Sequence, residues 1–246
     1  MFGTGRRIGA LHGFTLTGAQ FETLAGAGLQ FHAPDLPGHG ATVVESADVP
    51  TTIGALGAWL ATFDEPIPLL GYSQGGRMAL LVALEYPLLV ERLILVSASP
   101  GLRGEEQRMA RRSRDEALAQ RIEAIGLDAF IDEWLAGPIP GTAHLGESAR
   151  RRDRSVRAQN TAIGLASALR GIGQGSQPYV GDRIADLAMP LLTVSGRTDN
   201  RYDELAENMA NKARNGIHRS ITDAGHNVLI DAPDELTSLV LEFLDD

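Results

Sequence analysis

The 246-residue chain contains no cysteine, so a disulfide framework and thiolate chemistry are both excluded. Lysine is nearly as scarce: of 22 basic residues only Lys212 is lysine, and the remaining positive charges are arginine guanidinium groups. No apolar run approaches the roughly 20 residues that a membrane span needs. The opening residues, MFGTGRRIGALHGF, run straight into a strand-like segment with no apolar signal-peptide region. A cytoplasmic protein with no membrane span is therefore expected. Positive charge is in deficit overall, at 22 Lys+Arg against 31 Asp+Glu, which argues against nucleic acid as a partner. What remains is ordinary for a globular chain with a sizeable core: 43% hydrophobic and 22% charged residues.

Strand and helix signals alternate along the chain. Strands are expected at Arg6–Leu11, Gln30–Ala33, Ile67–Leu70, Arg92–Ser97, Met189–Ser195 and Ile217–Thr222. Helices are expected at Thr17–Ala27, Thr51–Phe63, Gln74–Glu85, Tyr202–Ala213 and Asp234–Leu244. Strands that are apolar throughout and alternate with helices indicate an α/β fold with a mainly parallel sheet covered on both faces. Residues 101–178 differ, being helical by periodicity with no convincing strand. They are expected to form a helical cap inserted between core segments 1–100 and 179–246. The charges support this division: residues 101–157 carry 11 basic and 10 acidic residues, a net of +1 in a chain of net charge −9. No internal repeat or low-complexity tract is visible.

Gly71-Tyr72-Ser73-Gln74-Gly75 matches G-x-S-x-G between a buried strand and a helix. There the glycines permit a strained strand-to-helix turn that lifts the serine Oγ clear of the backbone, next to a helix N-terminus that favours negative charge. Asp199 follows a strand end, with Asp203 and Asp223 as rivals and Asp182 as a weaker one. His226 lies in the loop after the next strand, so the order is Ser, Asp, His. In such a set the histidine takes a proton while the aspartate fixes its tautomer. The first strand ends in Leu11-His12-Gly13-Phe14-Thr15, where a backbone N–H of Phe14 or Thr15 could join that of Gln74 as an oxyanion site. His12, and His39 in DLPGHG, are expected to support loops; His32, His144 and His218 are expected to be surface or packing residues. No metal-ligand spacing is present, and GYSQGG lacks a phosphate-loop lysine and the dinucleotide fingerprint, so neither metal nor cofactor is expected.

Residues 100–122 hold six arginines. On a helix from about Glu105 to Ile125, at about 100° per residue, Leu118 and Ile122 each fall about 20° from Arg111. Arg111 therefore sits on the apolar stripe. Its neighbours are expected on solvated faces, paired with Glu105, Asp115 or Glu116. A guanidinium turned inward is costly unless it meets an anion or a hydrogen-bonded partner. Trp134, sharing a face with Phe130, Ile131 and Leu135, is either core or the wall of a pocket above the serine. Arg157 has the small residues Thr161, Gly164 and Ala168 on its side of a helix.

These motifs, spanning residues 11–227, resemble the α/β-hydrolase fold family. With five residues before the first strand, the sheet should be smaller than the family's usual eight strands and shortened at its N-terminal edge. The cap phrases PGL…EQR…R…D, Trp134 and R-x-x-N at 157–160, with GYSxGGR, SGRTD and AGHN, are similar to the 2-succinyl-6-hydroxy-2,4-cyclohexadiene-1-carboxylate synthases of menaquinone biosynthesis. That resemblance implies a lyase that eliminates pyruvate from a polycarboxylate cyclohexene. It further implies that Ser73, Asp199 and His226 act as a base and that Phe14 and Gln74 form the oxyanion hole. Tyr72, Arg77, Arg111, Trp134 and Arg157 would contact the substrate. Planar arginines suit carboxylates better than lysines do. The alternatives are a serine-triad hydrolase of a small carboxylate-bearing ester or C–C bond, and a non-catalytic small-carboxylate binder. A haloalkane dehalogenase is excluded, because Ser73 stands where it needs aspartate. A monomer or weak homo-oligomer is expected.

Overall fold

The computed structural model of the chain describes residues 1–26, 28–42, 44, 48–137 and 144–246. Ala27, the expected end of the second element, and residues 138–143 of the expected cap lie outside the described residues. Among the described residues seven strands form one sheet: β1 (Phe2–Gly3), β2 (Arg6–Leu11), β3 (Leu29–His32), β4 (Ile67–Tyr72), β5 (Val90–Val96), β6 (Leu191–Gly196) and β7 (Gly216–Ile221). Their order is β1-β3-β2-β4-β5-β6-β7. All neighbours are parallel except β1, which pairs antiparallel with β3 through Phe2 and Phe31. The sheet is thus smaller than eight strands, as expected, but its edge carries the two-residue β1 that periodicity cannot register. Two residues offer no alternation to read.

The inner strands are buried on both faces, which explains their unbroken apolar runs. One face packs against α1 (Val49–Leu60) and α2 (Gln74–Glu85). The other packs against α8 (Val228–Asp231), α9 (Pro233–Asp245) and the turn around Phe21. The short α8 was not anticipated either. Helix α7 (Asn200–Lys212) leans on β6 and β7. Every residue of α2 from Gln74 to Leu84 is buried, so it is the central prop of the molecule. Between β5 and β6 the described residues form α3 (Glu105–Ile125), α4 (Leu127–Leu135), α5 (Glu147–Arg157) and α6 (Ala162–Ile172), with no strand. Phe130, Ile122, Ala119 and Leu165 build a small core among them. No helix of the described residues is long and apolar enough to cross a membrane.

One expected helix is different in kind. Thr17–Ala27 is instead a 3-10 helix over Gly18–Thr23. A side chain at position 18 would come within 2.2 Å of the Ala33 carbonyl, and Gly26 at φ 134° then turns the chain back toward β3. The contest between glycine placement and apolar period is won here by the glycines.

Chain reversal in the sheet falls between β2 and β4, so the loops following these two strands open side by side at their carboxyl ends. Ligand crevices form at such a switch point. The strand-to-helix turn beside it is held at van der Waals limits. A Cβ at Gly75 would lie 2.1 Å from the Leu11 carbonyl oxygen, and one at Gly76 would lie 2.6 Å from Ala98 Cβ. Replacing Gly75 by alanine should destabilise the protein by about 2 kcal/mol or more, as overpacking does, and should displace Ser73. Urea unfolding of Gly75→Ala beside the parent, with the activity of each, checks both effects.

Candidate active site

Ser73 occupies the turn between β4 and α2, with φ 50° and ψ −108°. Positive φ is unfavourable for a residue carrying a Cβ, and here the packing of α2 holds it. The turn projects Oγ into the crevice. The Ser73 hydroxyl donates to His226 Nε2 at 3.0 Å, and His226 Nδ1–H donates to Asp199 Oδ2 at 2.6 Å. Those two bonds fix the neutral tautomer whose Nε2 accepts a proton. Asp199 is the N-cap of α7 and also accepts the Tyr202 backbone N–H at 3.4 Å. The rival acids go elsewhere. Asp203 accepts from the Ser195 hydroxyl at 2.6 Å, Asp182 pairs with Arg103 at 2.6 Å, and Asp223 is exposed.

A cavity of about 110 Å³ opens at Ser73 and His226. Phe14, Gln74, Arg77, Arg111 and Trp134 line it, as do Leu118, Leu169, Gly173 and Tyr202. Gln74 is the first residue of α2, where backbone N–H groups lack intrahelical acceptors. The Phe14 N–H has no hydrogen-bond acceptor among the described residues. Both groups are therefore free to donate to an oxygen beside Ser73.

Two guanidinium groups enter the same cavity. Arg77 donates from Nε to Gln177 at 2.9 Å, and burial pushes its pKa down to about 10, a value at which it stays cationic at neutral pH. Arg111 is one-third exposed at its side chain and donates from Nε to Asp115 at 2.7 Å and from Nη1 to Gln174. Asp115 was expected beside the solvated arginines. It is instead buried, and it holds Arg111 from one turn along the inward face. Glu116, expected among the same pairs, turns to Arg170 at 2.9 Å. Arg108 and Arg112 pair with Glu105 on the outer side, and Met109 is exposed as the wheel requires.

Trp134 packs edge-on against Phe14, with ring centroids 5.4 Å apart, and so walls the cavity from the helical side. Tyr72 lies buried below His226, with ring centroids 5.7 Å apart; burial pushes its phenol up, so it stays protonated. It is adjacent to the triad but is not part of the cavity wall. Arg157 is not brought to the wall either. Its guanidinium is fully buried, held by both carboxylate oxygens of Asp153 at 2.8 and 2.9 Å, and bonded to the Thr15 hydroxyl. Tyr202 escaped sequence reading. Its ring meets His226 edge-on at 4.5 Å and faces the cavity, and its position three residues after the capping Asp199 is the available signal.

His12 and His39 are fully buried supports. The Leu36 N–H donates to His12 Nε2 at 2.9 Å, so Nδ1 carries the proton and donates to the Gly13 carbonyl. Burial lowers His12 to about 4 and His39 to about 3. Among the described residues no cluster of His, Asp and Glu is arranged to hold a metal ion.

Residues 10–239 match the family described as alpha/beta hydrolases. The 2-succinyl-6-hydroxy-2,4-cyclohexadiene-1-carboxylate synthase of Salmonella agona is 30% identical over 224 residues, covering 88% of this chain and 85% of that protein. A putative synthase of the same name from Bacillus subtilis is 36% identical over 179 residues, covering 72% of this chain and 65% of its own length. Among solved structures, MenH from S. aureus matches with a TM-score of 0.92 at 28% identity over 98% of this chain and 94% of that one. An esterase from Thermogutta terrifontis, at 24% identity and TM-score 0.83 over 99% and 91% of the two chains, shares the fold.

Two outcomes are expected from this geometry. Arg111→Ala should lower activity at least tenfold more than Arg112→Ala, because only the former faces the cavity; steady-state kinetics of the two variants check it. As pH falls below 6.5 the unfolded chain protonates His12 and His39, while the folded chain resists until about 4 and about 3. Stability should therefore drop through that window, by about 3 kcal/mol at pH 4 from His12 alone. Urea midpoints between pH 7 and 4 read this directly, and the slope should be shallower in His12→Gln.

Proposed function

This chain belongs to the alpha/beta hydrolase family and, within it, to the 2-succinyl-6-hydroxy-2,4-cyclohexadiene-1-carboxylate synthases; from that premise we propose that it is a lyase of menaquinone biosynthesis. Its substrate is 2-succinyl-5-enolpyruvyl-6-hydroxy-3-cyclohexene-1-carboxylate, and its reaction is the 2,5-elimination of pyruvate. The observation that carries this reading is the pair of guanidinium groups, Arg77 and Arg111, lining the same cavity as Ser73 and His226. A hydrolase of neutral esters has no use for two cations there. A substrate with three carboxylates does.

The chemistry follows from the geometry. The ring proton at C2 is acidified by the succinyl ketone. Ser73 Oγ, bonded to His226 Nε2 at 3.0 Å, takes that proton as its own passes to the imidazole. Asp199, 2.6 Å from Nδ1, steadies the imidazolium so formed. The C2–H electron pair forms C2=C3 and the ring alkene moves to C4=C5. The C5–O bond breaks and enolpyruvate leaves, becoming pyruvate on protonation. During proton removal negative charge gathers on the ketone oxygen, where the Phe14 and Gln74 N–H groups and the α2 N-terminus are placed to stabilise it. Triad, oxyanion donors and arginines therefore serve deprotonation without any acyl-enzyme. We read residues 101–178 as the cap that brings Arg111 and Trp134 over the serine, and Trp134 as the face on which the ring lies. The required ligand is a small polycarboxylate in the crevice.

Given the enolpyruvyl precursor, purified protein should release pyruvate in step with absorbance from the conjugated diene, and Ser73→Ala should lower the rate at least a thousandfold. Brisk hydrolysis of p-nitrophenyl esters with no pyruvate would replace the lyase by a hydrolase.

A further inference from the structure

Thr15 adopts φ 68° and is completely buried. A β-branched residue in the left-handed region is a strained outlier. The strain sits in a tight turn, closed by the Leu16 N–H donating to the Gly13 carbonyl at 3.2 Å, whose third residue needs positive φ. Phe14, which lines the cavity beside Ser73 and whose N–H has no acceptor among the described residues, is the second residue of that turn. Whatever holds Thr15 therefore aims the Phe14 donor.

Thr15 is held from the helical segment. The Asn160 side-chain NH2 donates to the Thr15 carbonyl at 2.7 Å and to the Arg157 carbonyl at 2.9 Å, while its oxygen accepts the Gly40 N–H at 2.9 Å. Arg157 donates to the Thr15 hydroxyl. Its Nε and Nη2 each donate to Asp153, and both side chains are at most 2% exposed. The last turn of α5 and the Asn160 amide three residues beyond it thus present a buried ion pair and an amide, each side-chain nitrogen and oxygen bonded at least once, against the two polar atoms that fix Thr15. A buried pair so fully satisfied is rigid, and losing one partner leaves an uncompensated charge.

We infer that Asp153, through Arg157, and Asn160, directly, are positioning residues that hold Thr15 in its left-handed conformation and so set the Phe14 N–H of the oxyanion site. Arg157 then acts on the loop of the first long strand, and a substrate carboxylate is not its partner. This inference rests on Phe14 being an oxyanion donor, and its test separates failure here from failure of the lyase reading. Asp153→Asn, Asn160→Ala and the isosteric Thr15→Val are compared with the parent for kcat and KM of pyruvate release. Each is also measured for affinity toward phenylboronic acid, whose tetrahedral adduct with Ser73 places an oxygen in the same site without any elimination. A misplaced oxyanion donor lowers kcat by roughly tenfold to a hundredfold. We expect that loss in all three variants, with KM within about threefold, a parallel loss of boronic acid affinity, and Thr15→Ser at least tenfold more active than Thr15→Val. Raised KM with kcat and boronic acid affinity kept would make Arg157 a carboxylate binder and overturn the inference; so would variants indistinguishable from the parent. If Asp153→Asn fails to fold, the Thr15→Val and Thr15→Ser pair decides. If the parent releases no pyruvate yet the variants lose boronic acid affinity, the lyase reading falls and the positioning role stands.

Discussion

The turn at Ser73 is the constraint on which the other features rest. A strand buried on both faces must become, within one residue, a helix buried on every side. The backbone can do this only with Ser73 at positive φ and with no side chain at positions 75 and 76. The strain is of the order of 1–3 kcal/mol and is offset by the burial of α2 from Gln74 to Leu84. In return the turn delivers three things at one point: a hydroxyl open to the cavity, a free N–H at Gln74, and the positive end of a helix. None of these could be moved by a loop of ordinary flexibility without being lost.

Charge is arranged around that point by pairing more than by accumulation. The electropositive helical segment is laced with ion pairs, so most of its arginines are neutralised where they stand. Arg108 and Arg112 share Glu105, Arg121 meets Glu133, and Arg170 bridges Glu116 and Glu123. Such exposed pairs contribute little to stability. The two pairs with a buried aspartate behave differently. In Arg111–Asp115 and Arg157–Asp153 the acid lies one helical turn away and is almost inaccessible to water. It fixes a long flexible side chain in one rotamer. In one case a guanidinium is left facing the cavity; in the other it is locked against the loop that carries Phe14. The same local device thus serves two ends, according to which neighbour the tertiary structure supplies.

The supporting histidines show the same economy of role. His12 and His39 sit in the loops flanking the crevice and invite reading as bases, yet the Leu36 N–H points at His12 Nε2 and demands an unprotonated nitrogen. Burial keeps both rings neutral across the physiological range. Of the three rings, His226 alone is tied to an aspartate on one side and a serine on the other.

What the sequence alone determined was whatever depends on local periodicity and on the order of motifs. The inner strands, the helix from Glu105 to Ile125 and the inward face of Arg111 are consequences of residue spacing along one chain segment, and the order Ser73, Asp199, His226 follows from motifs at successive strand ends. The elements that escaped it are short: β1 with two residues, α8 with four, and a glycine-broken 3-10 turn at 18–23. No period can be read from so few positions. Tertiary structure alone decided the partners. Asp115 went to Arg111 and not to a solvated neighbour, Tyr202 came to rest on His226, and Arg157 closed on Asp153 and Thr15 instead of the cavity. Periodicity says which way a side chain leaves its helix. What it meets there is set by residues far away in the chain, and for a buried charge that meeting determines its role.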